Sequence, residues 1–279
     1  MSWMLRIEHD TGYRYRSEVL ASYNEARMTP LTTDRQTAVD VRVEVEPAAR
    51  VFRYLDYWAT VVDAFDLHVP HTELTVRAWS LVETSGAPRR PDGPGWDDLA
   101  SEPLCDRFCE FLAPTTYVPA DPELSALAAG LSAGRGPGEA VEVIAGWVHS
   151  NLTYTPGVTQ VSTSALEAFR AGHGVCQDYA HLTLALLRAV GIPSRYVSGY
   201  LHQPDAQPGD MMSGESHAWV EAWLGDWWAF DPTNGVPAGE RHALVGRARD
   251  YADVPPLKGI YRAGAAEALE VEVRITRLA

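Results

Sequence analysis

From Val39 to Val45 every second residue is a valine, with Asp40, Arg42 and Glu44 between them. Such a run has one apolar and one polar face only as a strand, because a helix would scatter the valines around its circumference. The alternation recurs where Leu5 and Ile7 flank Arg6 and Glu8, and where Leu74, Val76 and Ala78 alternate with Glu73, Thr75 and Arg77. Half-buried antiparallel sheet is the structure that uses this pattern. Several such runs at short spacing predict a β-rich domain over residues 1–85, a small sandwich or partial barrel. His9, His68 and His71 fall in it singly and read as packing or surface residues.

The pattern changes after Gly86-Ala-Pro-Arg-Arg-Pro-Asp-Gly-Pro-Gly95, whose breakers mark residues 86–100 as a linker. Helical spacing follows at Leu104, Phe108, Phe111 and Leu112, and again at Val141, Ile144, Val148 and Leu152. Pro137 suits the first turn of the second of these helices. Ser164-Ala-Leu-Glu167 is a capping box, with Gly172 placed to end the short helix it opens. The most apolar helix spans residues 176–190 and is closed by Gly191 and Pro193. Strands are expected over Arg195–Tyr200, Ser216–Leu224, Asp226–Asp231 and finally Leu269–Leu278. The fold class is therefore α+β, with an N-terminal antiparallel sandwich-like domain and a core over 101–279 in which helices pack on an antiparallel sheet. The C-terminal strand is assigned to that core.

Composition narrows the partners. With 23 Lys and Arg against 37 Asp and Glu, the chain carries a formal charge of −14. That field repels phosphate backbones and anionic lipid, so neither nucleic acid nor a membrane surface is expected as a partner. No apolar run reaches the ~18 residues a membrane span needs. The first nine residues lack a signal-peptide pattern, and three cysteines make no disulfide framework. A cytoplasmic location is expected.

Three places carry chemistry. Cys176, in Gly172-His-Gly-Val-Cys-Gln-Asp178, opens the apolar helix. A helix N-terminus favours a thiolate through its unpaired N–H groups, which can also hold an oxyanion. The same placement suits a buried structural cysteine, and the residues alone leave both readings open. His217 begins the strand Ser216-His-Ala-Trp-Val-Glu-Ala-Trp223, where a lone histidine could equally be a packing residue. Asp231 ends Trp227-Trp-Ala-Phe-Asp231 and could equally serve as a turn residue.

Gly225 lies between the last two strands, so they should form a hairpin. A two-residue turn would put Asp231 opposite Val220 and on the face away from His217. A three-residue turn pairs Trp223 with Trp227, sets Asp231 opposite Trp219, and makes His217 its diagonal neighbour on one face. A Cys–His–Asp relay requires the second register or one of its parity.

The motifs Gly-Val-Cys-Gln-Asp-Tyr-Ala-His around Cys176, Gly191-Ile-Pro-Ser-Arg-Tyr-Val-Ser-Gly-Tyr200, Ser-His-Ala-Trp-Val-Glu and Phe-Asp-Pro-Thr-Asn resemble the bacterial branch of the transglutaminase-like superfamily. The tail from Arg249 to Tyr261 resembles that branch's C-terminal signature, and the first 85 residues resemble its β-rich N-terminal region. The resemblance implies a papain-like core with Cys176 as nucleophile, His217 as base and Asp231 as the orienting acid. It implies thiol acyl transfer on a peptide or isopeptide amide of a peptide or protein substrate. Water as acceptor makes a cysteine peptidase or amidase; an amine makes a crosslinking transglutaminase, the alternative reading. A non-catalytic peptide-binding module on the same fold is a third.

No Asp/Glu-dense loop of calcium-binding spacing is present, so calcium is not carried over from the animal crosslinking enzymes. No cofactor and no metal are expected. Cys105 and Cys109, at i,i+4, lack partners at zinc-site spacing and read as reduced thiols. The Cys176 N–H is one candidate oxyanion donor. Gln177 and Trp147 are candidates for a second, with a helix-start polar residue and a core aromatic as their alternative readings. Tyr200 and Trp219 are candidate groove-lining residues, although strand aromatics more often pack in a core. His181 lies about 140° around the helix from Cys176 and reads as structural. His173 reads as a loop residue, and Asp178 as a favourable charge at the helix start.

Overall fold

The computed structural model describes residues 2–157, 162–204, 207–214 and 216–279. Six strands come first: β1 (Ser2–Val19), β2 (Ala21–Ala26), β3 (Gln36–Glu46), β4 (Val51–Leu55), β5 (Val61–Leu67) and β6 (His71–Ser85). A mixed segment follows, with helices α1 (Trp96–Leu99), α2 (Glu102–Arg107), α3 (Cys109–Leu112), α4 (Pro122–Ser132) and α5 (Pro137–Asn151). Then come β7 (Thr153–Tyr154), α6 (Ala165–Ala171), β8 (His173–Gly174) and α7 (Cys176–Ala189). The chain ends in strands β9 (Ser194–Leu201), β10 (Met211–Gly214), β11 (Ser216–Trp223), β12 (Trp227–Asp231), β13 (Val236–Pro237), β14 (His242–Ala248), β15 (Leu257–Arg262) and β16 (Ala266–Arg277). Among the described residues no helix is long and apolar enough to cross a membrane.

The N-terminal strands build two antiparallel sheets, ordered β10-β16-β1-β6-β3 and β15-β2-β5-β4. Tyr15, Val19, Met28, Phe65, Leu67, Leu74 and Val76 meet between them. The expected alternation holds from Trp3 to Thr11 on β1 and from Leu74 to Thr84 on β6, where every second residue is buried. On β3 the register shifts between Ala38 and Asp40, so Val39 drops out of the alternation and is half exposed. A bulge of one extra residue has that effect.

The last strand does not join the core. β16 pairs with β1 from Leu5 opposite Arg277 to Tyr15 opposite Ala266, and β15 pairs with β2. Val273 and Ile275 thereby pack with Trp3, Leu5, Ile7 and Val82 against Tyr200, Ala243 and Val245 of the core. This apolar seam joins the two halves of the chain, and β16 reaches it by pairing across the chain ends.

The core sheet runs β13-β12-β11-β9-β14. Ala218, Val220 and Ala222 of β11, with Trp228 and Phe230 of β12, face the helices. α7 is buried from Gln177 to Arg188, because it has the sheet on one side and α4, α5 and α6 around the others. Each leucine so enclosed contributes about 1.5–3 kcal/mol. Arg188, near the C-terminal end of α7, donates to the carbonyls of Ala113, Ser194 and Arg249, which fixes the helix along its axis. The helix expected over residues 104–112 is broken at Phe108 into α2 and α3. Phe108 turns its ring onto Trp223 and Trp227, with centroids 4.7 and 5.5 Å away.

On the other face of β11 lie His217, Trp219, Glu221 and Trp223. Glu221 is buried, and Arg195 of β9 and Arg247 of β14 both pair with it. Burial alone would raise its pKa, but the two guanidinium groups hold it below the usual carboxylate value. Trp219 lies over Gly199 of β9, where a Cβ would sit 2.6 Å from the indole ring and closer still to the Ala243 carbonyl oxygen. Gly199→Ala should therefore cost about 1–3 kcal/mol as an overpacking change. Urea unfolding measures it; a midpoint equal to wild type would contradict this account of the close approach.

Candidate active site

The position of Cys176 is set from both sides. Gly172 ends α6 with φ 71°, the left-handed conformation that glycine adopts without strain. Ser164 and Glu167 cap the start of α6, as their spacing predicts. β8 then pairs in parallel with β7, where Thr153 N–H donates to Gly172 O and Thr155 N–H to Gly174 O. Val175 is extended, and its N–H donates to Asp178 Oδ2 at 2.8 Å. That carboxylate fills the space over Gly174, where a Cβ would sit 2.6 Å from it. Cys176 is the first residue of α7, so its N–H has no partner within the helix.

The hairpin takes the three-residue turn. Trp223 pairs with Trp227 and Val220 with Phe230, leaving Leu224, Gly225 and Asp226 in the turn. Gly225 has φ 83°. Asp231 thus stands beyond Phe230, opposite Trp219, and shares a face with His217. His217 Nε2–H donates to Asp231 Oδ2 at 2.8 Å. Cys176 acts on His217 from outside this pair, and its side chain helps to raise the imidazole pKa. The three residues are thus brought together, from a partly exposed thiol to a fully buried carboxylate.

Asp231 is closed in by five donors. Oδ1 accepts from the backbone N–H groups of Thr233 and Asn234, at 3.0 and 3.2 Å. Oδ2 accepts from His217, from Asn234 Nδ2 at 2.7 Å and from His242 Nε2 at 3.1 Å. Burial would raise the pKa of this carboxyl, but the two histidines hold it far below the usual carboxylate range. Burial would likewise lower that of His217, yet Asp231 and Cys176 raise it to about 10. His217 is therefore an imidazolium at neutral pH. His242 shows the opposite balance: burial outweighs Asp231 and lowers its pKa.

The imidazole nitrogens of His217 and His242 and an Asp231 oxygen lie within 4.8 Å of one another, a spacing that a metal ion could bridge. The Gly239 N–H occupies Nδ1 of His242, at 3.2 Å. The ring proton is therefore on Nε2, which presents a hydrogen to Asp231 and not a lone pair. The chemistry of the cluster is that of a hydrogen-bond network around one negative charge.

The remaining expected residues are dispersed. Gln177 is buried in the first turn of α7 beside Cys176. Trp147 packs among the helices, 6.1 Å from the Phe169 ring. Tyr200 lines no groove: it is buried in the seam between the two halves, where its hydroxyl bonds His9 Nδ1 at 2.9 Å. Trp219 is also buried, with its ring stacked on His217 at 6.1 Å and edge-on to His242 at 5.2 Å. Tyr200 behaves as the packing aromatic that strands commonly carry, whereas Trp219, packed on the two histidines, also borders a cavity of about 310 Å³. His181 accepts from the Tyr251 N–H and lies between Tyr117 and Tyr196, as a structural residue. Burial lowers its pKa to about 3, so it is neutral.

Sequence reasoning missed His242 and the roles of Asn234. His242 follows Asp231 by eleven residues in a segment without readable periodicity, and only the pairing of β14 with β9 brings it to the carboxylate. Asn234 does have a local signal: Asp-Pro-Thr-Asn is a turn sequence in which an Asp side chain accepts the N–H groups two and three residues on.

The charge balance predicts a titration. His217 is held above its ordinary value of 6.5, so the contribution of its proton to folding is complete below that pH, while Asp231 stays ionised, and is lost as pH climbs through about 10. Asp231→Asn removes the anion and leaves burial in place. In ring-nitrogen NMR between pH 5 and 9, His217 of the wild type should remain protonated, and that of Asp231→Asn should titrate within the window. The same curve for both proteins would contradict the assignment.

Residues 125–232 match the family model for the transglutaminase-like superfamily, and residues 5–83 match that for the bacterial transglutaminase-like N-terminal region. An uncharacterized protein of Mycobacterium leprae is 50% identical over 99% of this chain and 100% of its own length. A protein-glutamine gamma-glutamyltransferase of Pseudomonas aeruginosa is 34% identical over 97 residues, 31% of this chain and 14% of that protein. Among solved structures, a candidate cysteine protease of Cytophaga hutchinsonii superposes with a TM-score of 0.80 at 25% identity, covering 100% of this chain and 92% of that one.

Proposed function

The chain belongs to the transglutaminase-like superfamily, and from that premise we propose that it is a thiol acyl-transfer enzyme that cleaves a peptide or isopeptide amide as a cysteine peptidase or amidase. The observation that carries this reading is the His217–Asp231 hydrogen bond, with the Cys176 thiol at a helix N-terminus close enough to help raise the imidazole pKa.

In the proposed reaction the proton of Cys176 rests on His217, and the thiolate sulfur attacks the amide carbon. The carbonyl oxygen becomes an oxyanion beside the Cys176 N–H. As the C–N bond breaks, His217 gives its proton to the departing amine, leaving a thioester on Cys176. Water then attacks the thioester while His217 accepts a proton from it; the acid leaves and the thiol is restored. Asp231 remains ionised throughout, holding the imidazole in orientation and stabilising its charged form. Water is the proposed acceptor because it is the solvent, and excluding it would take a dedicated dry amine site.

The second reading replaces water by a primary amine, which would make the protein a transglutaminase. Its support is the similarity to the Pseudomonas gamma-glutamyltransferase over 97 residues. One assay separates the readings. A pool of glutamine-containing and isopeptide-linked peptides is incubated with the protein, with and without a primary amine, and products are identified by mass. Hydrolysis gives the acid whether or not amine is present; transfer gives the new amide when it is. Cys176→Ala should abolish both, and His217→Ala should slow turnover by about 10²–10⁴. Turnover that survives Cys176→Ala would refute both thiol readings, and peptide binding without turnover in the wild type would favour a peptide-binding module.

A further inference from the structure

Asp231 serves two histidines, and the proposed reaction uses only one of them. His242 stands at the start of β14, is buried, and directs Nε2–H to the same oxygen that His217 bonds. Its tautomer is fixed from behind by the Gly239 N–H on Nδ1. That contact also opposes a second proton, because an imidazolium would turn two N–H donors against each other. The groups that face His242 are Asp231 from β12, His217 and Trp219 from β11, and the charge of Arg241 beside it. Burial lowers its pKa, which agrees with a neutral donor.

A carboxylate with one histidine partner can swing about its Cβ–Cγ bond and present either oxygen. In Asp231 the backbone N–H groups of Thr233 and Asn234 hold Oδ1, while Asn234 Nδ2 and His242 approach Oδ2 beside His217. We propose that His242 is a positioning residue for the candidate thiol chemistry: as a neutral donor locked by Gly239, it holds Asp231 Oδ2 in line with His217 and so keeps the imidazole aimed at Cys176. The inference rests on the acyl-transfer reading for its purpose, although the geometry it asserts can be tested without turnover.

The first test uses the wild-type protein. Nitrogen-15 NMR of the His242 ring should show Nε2 protonated and Nδ1 unprotonated from pH 5 to 9; the opposite tautomer or an imidazolium overturns the proposal. The second compares His242→Leu, which removes the donor, with His242→Gln, whose amide can donate from a similar position. A cavity of about 310 Å³ adjoins the His242 and Trp219 side chains, so neither replacement has to force its way into a full core.

His242→Leu should displace the His217 Nε2–H resonance and slow iodoacetamide alkylation of Cys176 at pH 7 about tenfold, with Cys109 unchanged. His242→Gln should restore the resonance and bring the rate within about threefold of wild type. If His242→Leu leaves both at their wild-type values, or if His242→Gln is as impaired as His242→Leu, the residue is packing alone. Should His242→Leu fail to fold, the glutamine variant and the wild-type tautomer still decide. Failure of the acyl-transfer reading would look different: amide turnover independent of Cys176, with the His242–Asp231–His217 resonances as expected.

Discussion

A carboxylate taken out of water stays ionised only if hydrogen-bond donors replace the solvent on both oxygens, and the cost of leaving one unpaired runs to several kcal/mol. Asp231 meets that condition with five donors drawn from three places: its own turn, β11 and β14. Everything else in the site follows from that buried charge. It keeps a proton on His217 against the effect of burial, and that proton is what sets a cation beside Cys176 at the head of α7. The fold supplies the rigidity: α7 is enclosed along its length, its start is pinned by β8 and Asp178, and its end by Arg188.

The register of one hairpin decides whether these parts meet. With three residues in the turn, His217 and Asp231 share a face; a shift of one would put them on opposite sides of the sheet. Gly225 and the packing of Trp223 and Trp227 against Phe108 act together on that register. Trp219, Gly199 and the Glu221–Arg195–Arg247 cluster then fix the same face of β11 from further along the strand. The aromatic richness of these strands is thus a scaffold for two histidines.

Much of this was legible in the sequence for physical reasons. The capping box at Ser164, the left-handed Gly172, the apolar run after Cys176 and the alternation of β1 and β6 are local signals whose meaning does not depend on distant residues. Parity left two registers for the hairpin, and only the requirement of a Cys–His–Asp relay selected the one observed. What remained illegible depends on contacts between distant segments. β16 looks like a core strand until it is seen to pair with β1. Phe108 breaks a helix because two tryptophans over 100 residues away offer its ring a better place. Tyr200 lies in a motif that suggested a groove, but it is buried against an N-terminal strand. His242 gives no local sign of its role because its partner arrives through sheet pairing.

The central claim, that Cys176 is a nucleophile activated by His217, is tested most directly by its alkylation with iodoacetamide as a function of pH, followed peptide by peptide. Cys105 and Cys109 are the controls in the same tube, and Cys109 is the more exposed of the three cysteines. The account predicts that Cys176 reacts faster than either at pH 6–7 despite its partial burial, and that His217→Ala abolishes the advantage. If Cys176 reacts no faster than Cys109 at any pH, or if its rate is indifferent to His217, the His217–Asp231 pair is structural and the claim is wrong.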